Sequence, residues 1–78
     1  MSNKMEFGER FRLCRKKAGY KTMSQAREAT GLSTGAISDY ENDKRVPTAP
    51  AIIAMSWAYG VSTDFLLGES DEQPKGWS

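Results

Sequence analysis

The side chains able to do chemistry in these 78 residues are poor in catalysts. Histidine, the commonest general base and metal ligand, is absent. Cys14 is the one cysteine, so an intrachain disulfide is impossible, and one thiol without histidine cannot build a structural zinc site. No nucleophile–base pair and no phosphate-binding loop stands out. What remains is hydrogen-bonding chemistry, concentrated between Ser33 and Asn42. There Thr34, Gly35, Ser38 and Asp39, all small or polar, fall opposite Ile37 and Tyr40, which stand at i and i+3. Short polar groups along one side of a rod suit close approach to another surface. An ordinary solvated helix face is the alternative reading.

The elements that must position this face are legible from periodicity and caps. Phe7, Phe11, Cys14 and Ala18 recur at helical spacing and predict a first helix over 6–18, stopped by Gly19. Thr22 with Gln25 forms a capping-box pattern and opens a second helix over 23–30, with Met23, Ala26 and Thr30 on one face. Gly31 ends it and permits a tight turn. Ser33 is the expected N-cap of a third helix that stops at Asn42-Asp43. Thr48 or Ala49 starts a fourth helix with Pro50 in its first turn, burying Ile52, Ile53, Met55, Ser56 and Tyr59. Ser62 caps a fifth, Thr63 to Leu67. The expected core is Phe7, Phe11, Ile37, Ile53, Met55, Tyr59, Phe65 and Leu66, with Cys14 packed rather than reactive. The expected division is one domain over 1–68, with 69–78 a disordered tail or linker in which Trp77 has no assignable role.

Charge adds direction. The formal net charge is +1, yet residues 1–45 carry ten Lys/Arg against six acids, and 46–78 carry Lys75 against four acids. A basic half is a plausible footprint on phosphates. The opening residues 1–6 hold no apolar stretch of the signal-peptide kind, and no run approaches the roughly 20 apolar residues of a membrane span. A lone thiol in a chain without disulfides fits a reducing cytoplasm.

Two helices joined by a turn of about three residues containing Gly31 make a helix-turn-helix layout. In that layout the second helix enters the major groove and the first crosses the sugar-phosphate backbone. The segments Gly8–Arg12 with Arg15–Lys17, Gly31–Ser33, Ala36–Ser38, Tyr40–Asn42, Lys44-Arg45 with Pro47, and Tyr59–Leu67 resemble the Cro and lambdoid-repressor family of XRE-type helix-turn-helix domains. The resemblance covers Gly8 to Gly68. It implies an all-α, compact five-helix DNA-binding domain that reads a palindromic operator on double-stranded DNA as a homodimer. It implies a transcriptional regulator, a repressor of phage or prophage type in the bacterial cytoplasm or nucleoid, without cofactor, metal, small-molecule substrate or membrane.

By that resemblance Thr34, Gly35, Ser38 and Asp39 fall at base-reading positions. Thr34 could bond a base or touch a thymine methyl, and Asp39 could accept from cytosine N4. Thr22, Met23, Arg27, Ser33, Asn42, Lys44 and Arg45 fall at positions that meet the DNA backbone, fixing register without reading sequence. The amides near Thr22 and Met23, at a helix N-terminus, form a ready anion site. Arg15 and Glu41 fall where similar proteins hold a structural ion pair. Trp57, Val61, Thr63, Asp64 and Leu67 are the expected dimer contact, with a half-covered surface residue as the alternative for Trp57. Three positions depart from the pattern: Met23 stands where Gln is common, Arg27 where a small Ala is usual, and Asp43 where Gly is usual. The rival function is a protein-interaction module, such as an antitoxin or a repressor antagonist.

Overall fold

Four of the five helices start on a hydroxyl. Thr22, Ser33, Thr48 and Ser62 are each extended, and each side chain accepts a hydrogen bond from the backbone N–H three residues on. Caps of this kind contribute about 0.5–2 kcal/mol each, a large share for a short chain. The computed structural model describes residues 7–74. It places α1 at Phe7–Lys17, α2 at Met23–Thr30, α3 at Thr34–Glu41, α4 at Ala49–Tyr59 and α5 at Thr63–Leu66, with no strand among the described residues. Gly31 and Gly60 close α2 and α4 in the left-handed region, at φ 79° and 70°. Glu6, the expected first residue of α1, and residues 75–78 with Trp77 lie outside the described residues.

The helices pack around one core. α1 lies against α3, α4 and α5, α2 lies against α3 and α4, and α4 lies against α5. Phe11, Cys14, Tyr40, Ala51, Met55, Tyr59, Val61, Phe65 and Leu66 form the buried cluster, and Ala26 and Ile37 are also fully covered. No helix among the described residues is long and apolar enough to cross a membrane.

Two expected core residues are not in it. Phe7 is 55% exposed and Ile53 47% exposed. Phe7 begins α1, one turn beyond the edge of the core, and only stacks its ring on Phe11 at 6.5 Å. On α4 the buried seam is Ala51, Met55, Ser56 and Tyr59. Ile53 is two residues from both Ala51 and Met55, which turns it roughly 200° away from them. Adjacent isoleucines cannot share one face, and Ile52 takes the half-buried edge. Ser56 is tolerated inside because its hydroxyl donates to the Val61 carbonyl at 2.6 Å.

Past α5 the chain is held to α1. Arg10 donates from Nε to the Phe65 carbonyl and from Nη2 to the Ser70 carbonyl at 2.8 Å, with its guanidinium 4.5 Å above the Phe65 ring. The contact reaches Ser70, two residues past Gly68. Leu67, expected as the last residue of α5, is its C-cap.

Candidate nucleic-acid interface

α3 turns its apolar residues inward and its short polar residues outward. Ile37 is 0% and Tyr40 6% exposed, whereas Thr34 and Gly35 are exposed and Ser38 and Asp39 half-buried. The turn into α3 is fixed locally. Gly31 N–H donates to the Arg27 carbonyl at 2.8 Å, Leu32 N–H to Thr30 Oγ1 at 3.0 Å, and Leu32 packs against the core. α2 therefore ends and α3 begins within three residues, with no slack in the angle between them.

A buried ion pair holds the far end of α3 to α1. Arg15 Nε donates to Glu41 Oε2 at 2.7 Å and Nη2 to Oε1 at 3.0 Å, a two-point contact. Arg15 Nη1 donates to the carbonyls of Tyr20 and Lys21 at 2.9 and 3.1 Å. The hydrogen bond to Glu41 raises the Arg15 guanidinium above its usual range, outweighing the opposite pull of burial. Arg12, more exposed, reaches Glu41 Oε1 at 3.4 Å.

The loop after α3 turns back on it. Lys44 N–H donates to the Asp39 carbonyl at 2.8 Å and Asp43 N–H to the Tyr40 carbonyl at 3.3 Å. This is a Schellman closure with Asp43, at φ 60°, in the left-handed position that glycine prefers. The departure from glycine at Asp43 has a structural counterpart, because its Oδ1 accepts the Gly8 N–H at 3.0 Å and caps the first turn of α1. The same closure brings Arg45 beside α3. Its Nε lies 3.1 Å from Asp39 Oδ2 and its guanidinium 5.4 Å over the Tyr40 ring. Asn42 Nδ2 donates to the Ser38 carbonyl at 2.9 Å and contacts Ser38 Oγ at 3.3 Å.

The reading candidates Thr34, Gly35, Ser38 and Asp39 share the outer side of α3, flanked by Ser33 at one end and Asn42, Lys44 and Arg45 at the other. The other backbone candidates sit on α2. Gln25 Oε1 accepts from the Thr22 and Lys21 amides at 3.1 and 2.7 Å, while Thr22 Oγ1 accepts from Gln25 N–H at 3.1 Å. The helix's first turn leaves the Met23 and Ser24 amides without an intrahelical acceptor. Arg27 is exposed, so it does not obstruct α2 against α3, where Ala26 is fully buried. Met23 is half-buried.

The expected dimer contact needs one correction. Trp57 is 82% exposed, Asp64 is exposed, and Thr63 and Leu67 are half-buried, but Val61 is 6% exposed and belongs to the core. The turn after Gly60 folds Val61 inward: its N–H donates to the Ser56 carbonyl at 3.1 Å while its own carbonyl accepts the Ser56 hydroxyl. Sequence reasoning named Gly8, Arg10 and Asp43 but not the long-range contacts they make. Only Asp43 carried a signal, as a residue that tolerates the left-handed conformation; its bond to Gly8 spans 35 residues and has no local signature.

The helix-turn-helix domain family matches residues 6–66. The chain is 38% identical over 71 residues to the HTH-type transcriptional regulator ImmR of Bacillus subtilis, covering 91% of this chain and 55% of that protein. It is 38% identical over 61 residues to the SPbeta prophage-derived uncharacterized HTH-type transcriptional regulator YonR of the same organism, covering 78% and 56%. The chain thus spans about half the length of the curated relatives it matches. The resemblance read from the sequence holds, and the chain belongs to the helix-turn-helix domain family.

Proposed function

We propose that this chain is the DNA-reading part of a transcriptional regulator, which lays α3 in the major groove of a palindromic operator and acts as a repressor. The observation that carries the reading is the two-sidedness of α3: Ile37 and Tyr40 anchor it while Thr34, Gly35, Ser38 and Asp39 face out. Thr34 and Ser38 exchange hydrogen bonds with base edges, and Gly35 lets the backbone come close. Lys44, Arg45 and Asn42 at one end of α3, with Ser33, Thr22, Arg27 and the Met23 amide at the other, meet phosphates. These contacts set register and supply a salt-dependent share of the affinity. The relatives' names support a regulator, and the YonR name supports a prophage setting.

Two copies on one operator would place their α3 helices about one duplex turn, roughly 34 Å, apart. We assign the contact between copies to the outer side of α4 and α5 and the cap that follows: exposed Trp57, Ile53 and Asp64 with half-buried Thr63 and Leu67. The working partner is double-stranded DNA in the bacterial cytoplasm or nucleoid, with no catalytic step.

Selection from a random duplex library, with footprinting of the winner, tests the reading. A recovered inverted repeat protected on one face of the duplex is expected. Recovery of no preferred sequence, with binding indifferent to salt, would refute it and favour the protein-interaction alternative, an antitoxin or a repressor antagonist.

A further inference from the structure

We propose that Asp39 gates Arg45: the carboxylate holds the guanidinium off the phosphates until a base with an amino group in the major groove, cytosine or adenine, takes its place. The inference rests on the reading of α3 as the groove helix and deepens it, because it turns one surface ion pair into a specificity device.

The geometry comes from the closure after α3. Asp39 and Arg45 are six residues apart, too far to meet along a continued helix face. The left-handed Asp43 and the Lys44 N–H to Asp39 carbonyl bond reverse the chain and return Arg45 to α3. There the guanidinium is held from two directions, by Asp39 Oδ2 at 3.1 Å and by the Tyr40 ring at 5.4 Å. Both partners remain half-open to solvent, with side chains 54% and 38% exposed. The pair is therefore formed in the free protein yet weak enough to exchange.

Consider the pair at a duplex. An unpaired Asp39 on a groove-facing helix is repelled by phosphates, so on an arbitrary sequence it keeps Arg45. Arg45 then neutralises a carboxylate instead of a phosphate, and non-specific binding loses one cation. Where cytosine N4 or adenine N6 offers an N–H at the right step, the carboxylate has a donor of its own. Arg45 is then free to turn to the adjacent phosphate, adding a charge-assisted contact. Matching the base and gaining the phosphate become one event. Discrimination at that base pair exceeds what one hydrogen bond would give, and it does so by suppressing the wrong sequences.

The test measures affinity and salt dependence for the selected operator and for a scrambled duplex, using the full chain, Asp39→Ala, Arg45→Gln and the double variant. For Asp39→Ala we expect about 3–10-fold tighter binding to scrambled duplex near 0.1 M salt, and a slope of log K against log salt steeper by about one. Operator affinity is expected to rise less or fall, and selection with this variant should lose the preference for cytosine or adenine at one position per half-site. In the Arg45→Gln background, Asp39→Ala should leave the scrambled-duplex slope almost unchanged. The same gain in both backgrounds would overturn the gate, since the carboxylate would then act by charge alone. An Asp39→Ala variant with unaltered affinity, slope and selected bases would also overturn it. Should alanine perturb the helix in a melt, Asp39→Ser carries the same comparison. A wild-type chain that retains no duplex at about 50 mM salt refutes the groove reading itself, and is thereby distinguished from failure of the gate.

Discussion

A side chain on Gly8 would have to begin where the Glu41 carbonyl oxygen already lies. A Cβ built there overlaps that oxygen and its carbon and stands 3.0 Å from the Tyr40 carbonyl. The first turn of α1 therefore rests directly on the last turn of α3, backbone on backbone, and the angle of α3 is set by a missing methyl group. Gly8→Ala should force the two helices apart and cost about 1–3 kcal/mol or more. In a thermal melt that is a fall of roughly 4–8 °C per kcal/mol for a domain of this size. Gly35→Ala is the counter-case, since a Cβ there meets nothing within 4 Å. It should hold or raise the melting temperature and still disturb DNA binding if α3 lies close to base edges. A Gly8→Ala variant as stable as the parent would show that α1 and α3 are not in this contact.

Asp43 answers two demands at once. Its backbone is left-handed, which costs a non-glycine residue roughly 1–2 kcal/mol. Its carboxylate offsets this by capping the Gly8 N–H, where negative charge at a helix N-terminus is also favoured. Asp43→Gly should come out near neutral, losing the cap and the strain together. Asp43→Asn should cost little, because an amide oxygen can still accept and Asn tolerates the conformation. Asp43→Ala keeps the strain and loses the cap, so it should be the worst of the three, by about 1–2 kcal/mol in denaturant unfolding. If alanine and glycine proved equal there, the cap would be the only effect and the strain negligible.

Arg15 and Arg12 both touch Glu41, but only one is buried with it. The Glu41 side chain is 1% exposed, that of Arg15 5% and that of Arg12 43%. Arg15→Ala should cost about 3–5 kcal/mol by stranding a buried carboxylate. Arg12→Ala should cost under about 1 kcal/mol. The pair itself is not a large source of net stability, so Arg15→Met with Glu41→Leu should recover most of the loss. Chemical denaturation of the four proteins decides this; equal losses for Arg12→Ala and Arg15→Ala would remove the distinction.

The sequence exposed what is local and hid what is long-range. The caps Thr22, Ser33, Thr48 and Ser62 were legible because each acts within three residues, and so the five helices and the turn at Gly31 could be placed. Ile53 misled because hydropathy counts the residue, whereas burial on α4 is decided by phase: Ala51 and Ser56, smaller and more polar, hold the seam. Val61 misled because the turn after Gly60 sets its direction. At the candidate interface, the outward side of α3 followed from the spacing of Ile37 and Tyr40. The engagement of Asp39 with Arg45 and of Ser38 with Asn42 did not, since it depends on how the chain reverses at Asp43. The clamp of Arg10 on Phe65 and Ser70 joins residues 55 and 60 apart and is invisible to any window.

Cys14 gives a pH test of the core. It is fully buried, and burial pushes its thiol up to about 11, with the nearby Arg10 charge pulling weakly the other way. The unfolded thiol titrates near 8.5. A folded value above the unfolded one means that its contribution is complete below about pH 8.5 and is lost as pH rises toward 11. Stability of the parent should therefore fall over that window. Cys14→Ala should start lower because of the lost packing, yet decline less steeply. Below pH 8 the native thiol should resist alkylating reagents that modify the urea-unfolded chain at once. Rapid labelling of the folded chain at pH 7 would place Cys14 at the surface and undo the packing of α1.

Thr34 and Lys44 should separate reading from positioning. Thr34 is exposed at the first position of α3, the end proposed to meet base edges, and Lys44 is exposed in the loop that reverses beyond its last turn. Thr34→Ala removes a hydroxyl and keeps the helix, so it should relax discrimination at one base position by about 1–3 kcal/mol and leave binding to scrambled duplex almost as it was. Lys44→Ala removes a cation from the flank, so it should weaken operator and scrambled duplex by a similar factor and flatten the salt slope by about one. Competition binding at several salt concentrations measures both quantities in one series. The opposite pattern, sequence preference altered by Lys44→Ala and untouched by Thr34→Ala, would mean that the loop enters the groove. The start of α3 would then lie on the backbone, and the docking proposed for this helix would have to be reversed end for end.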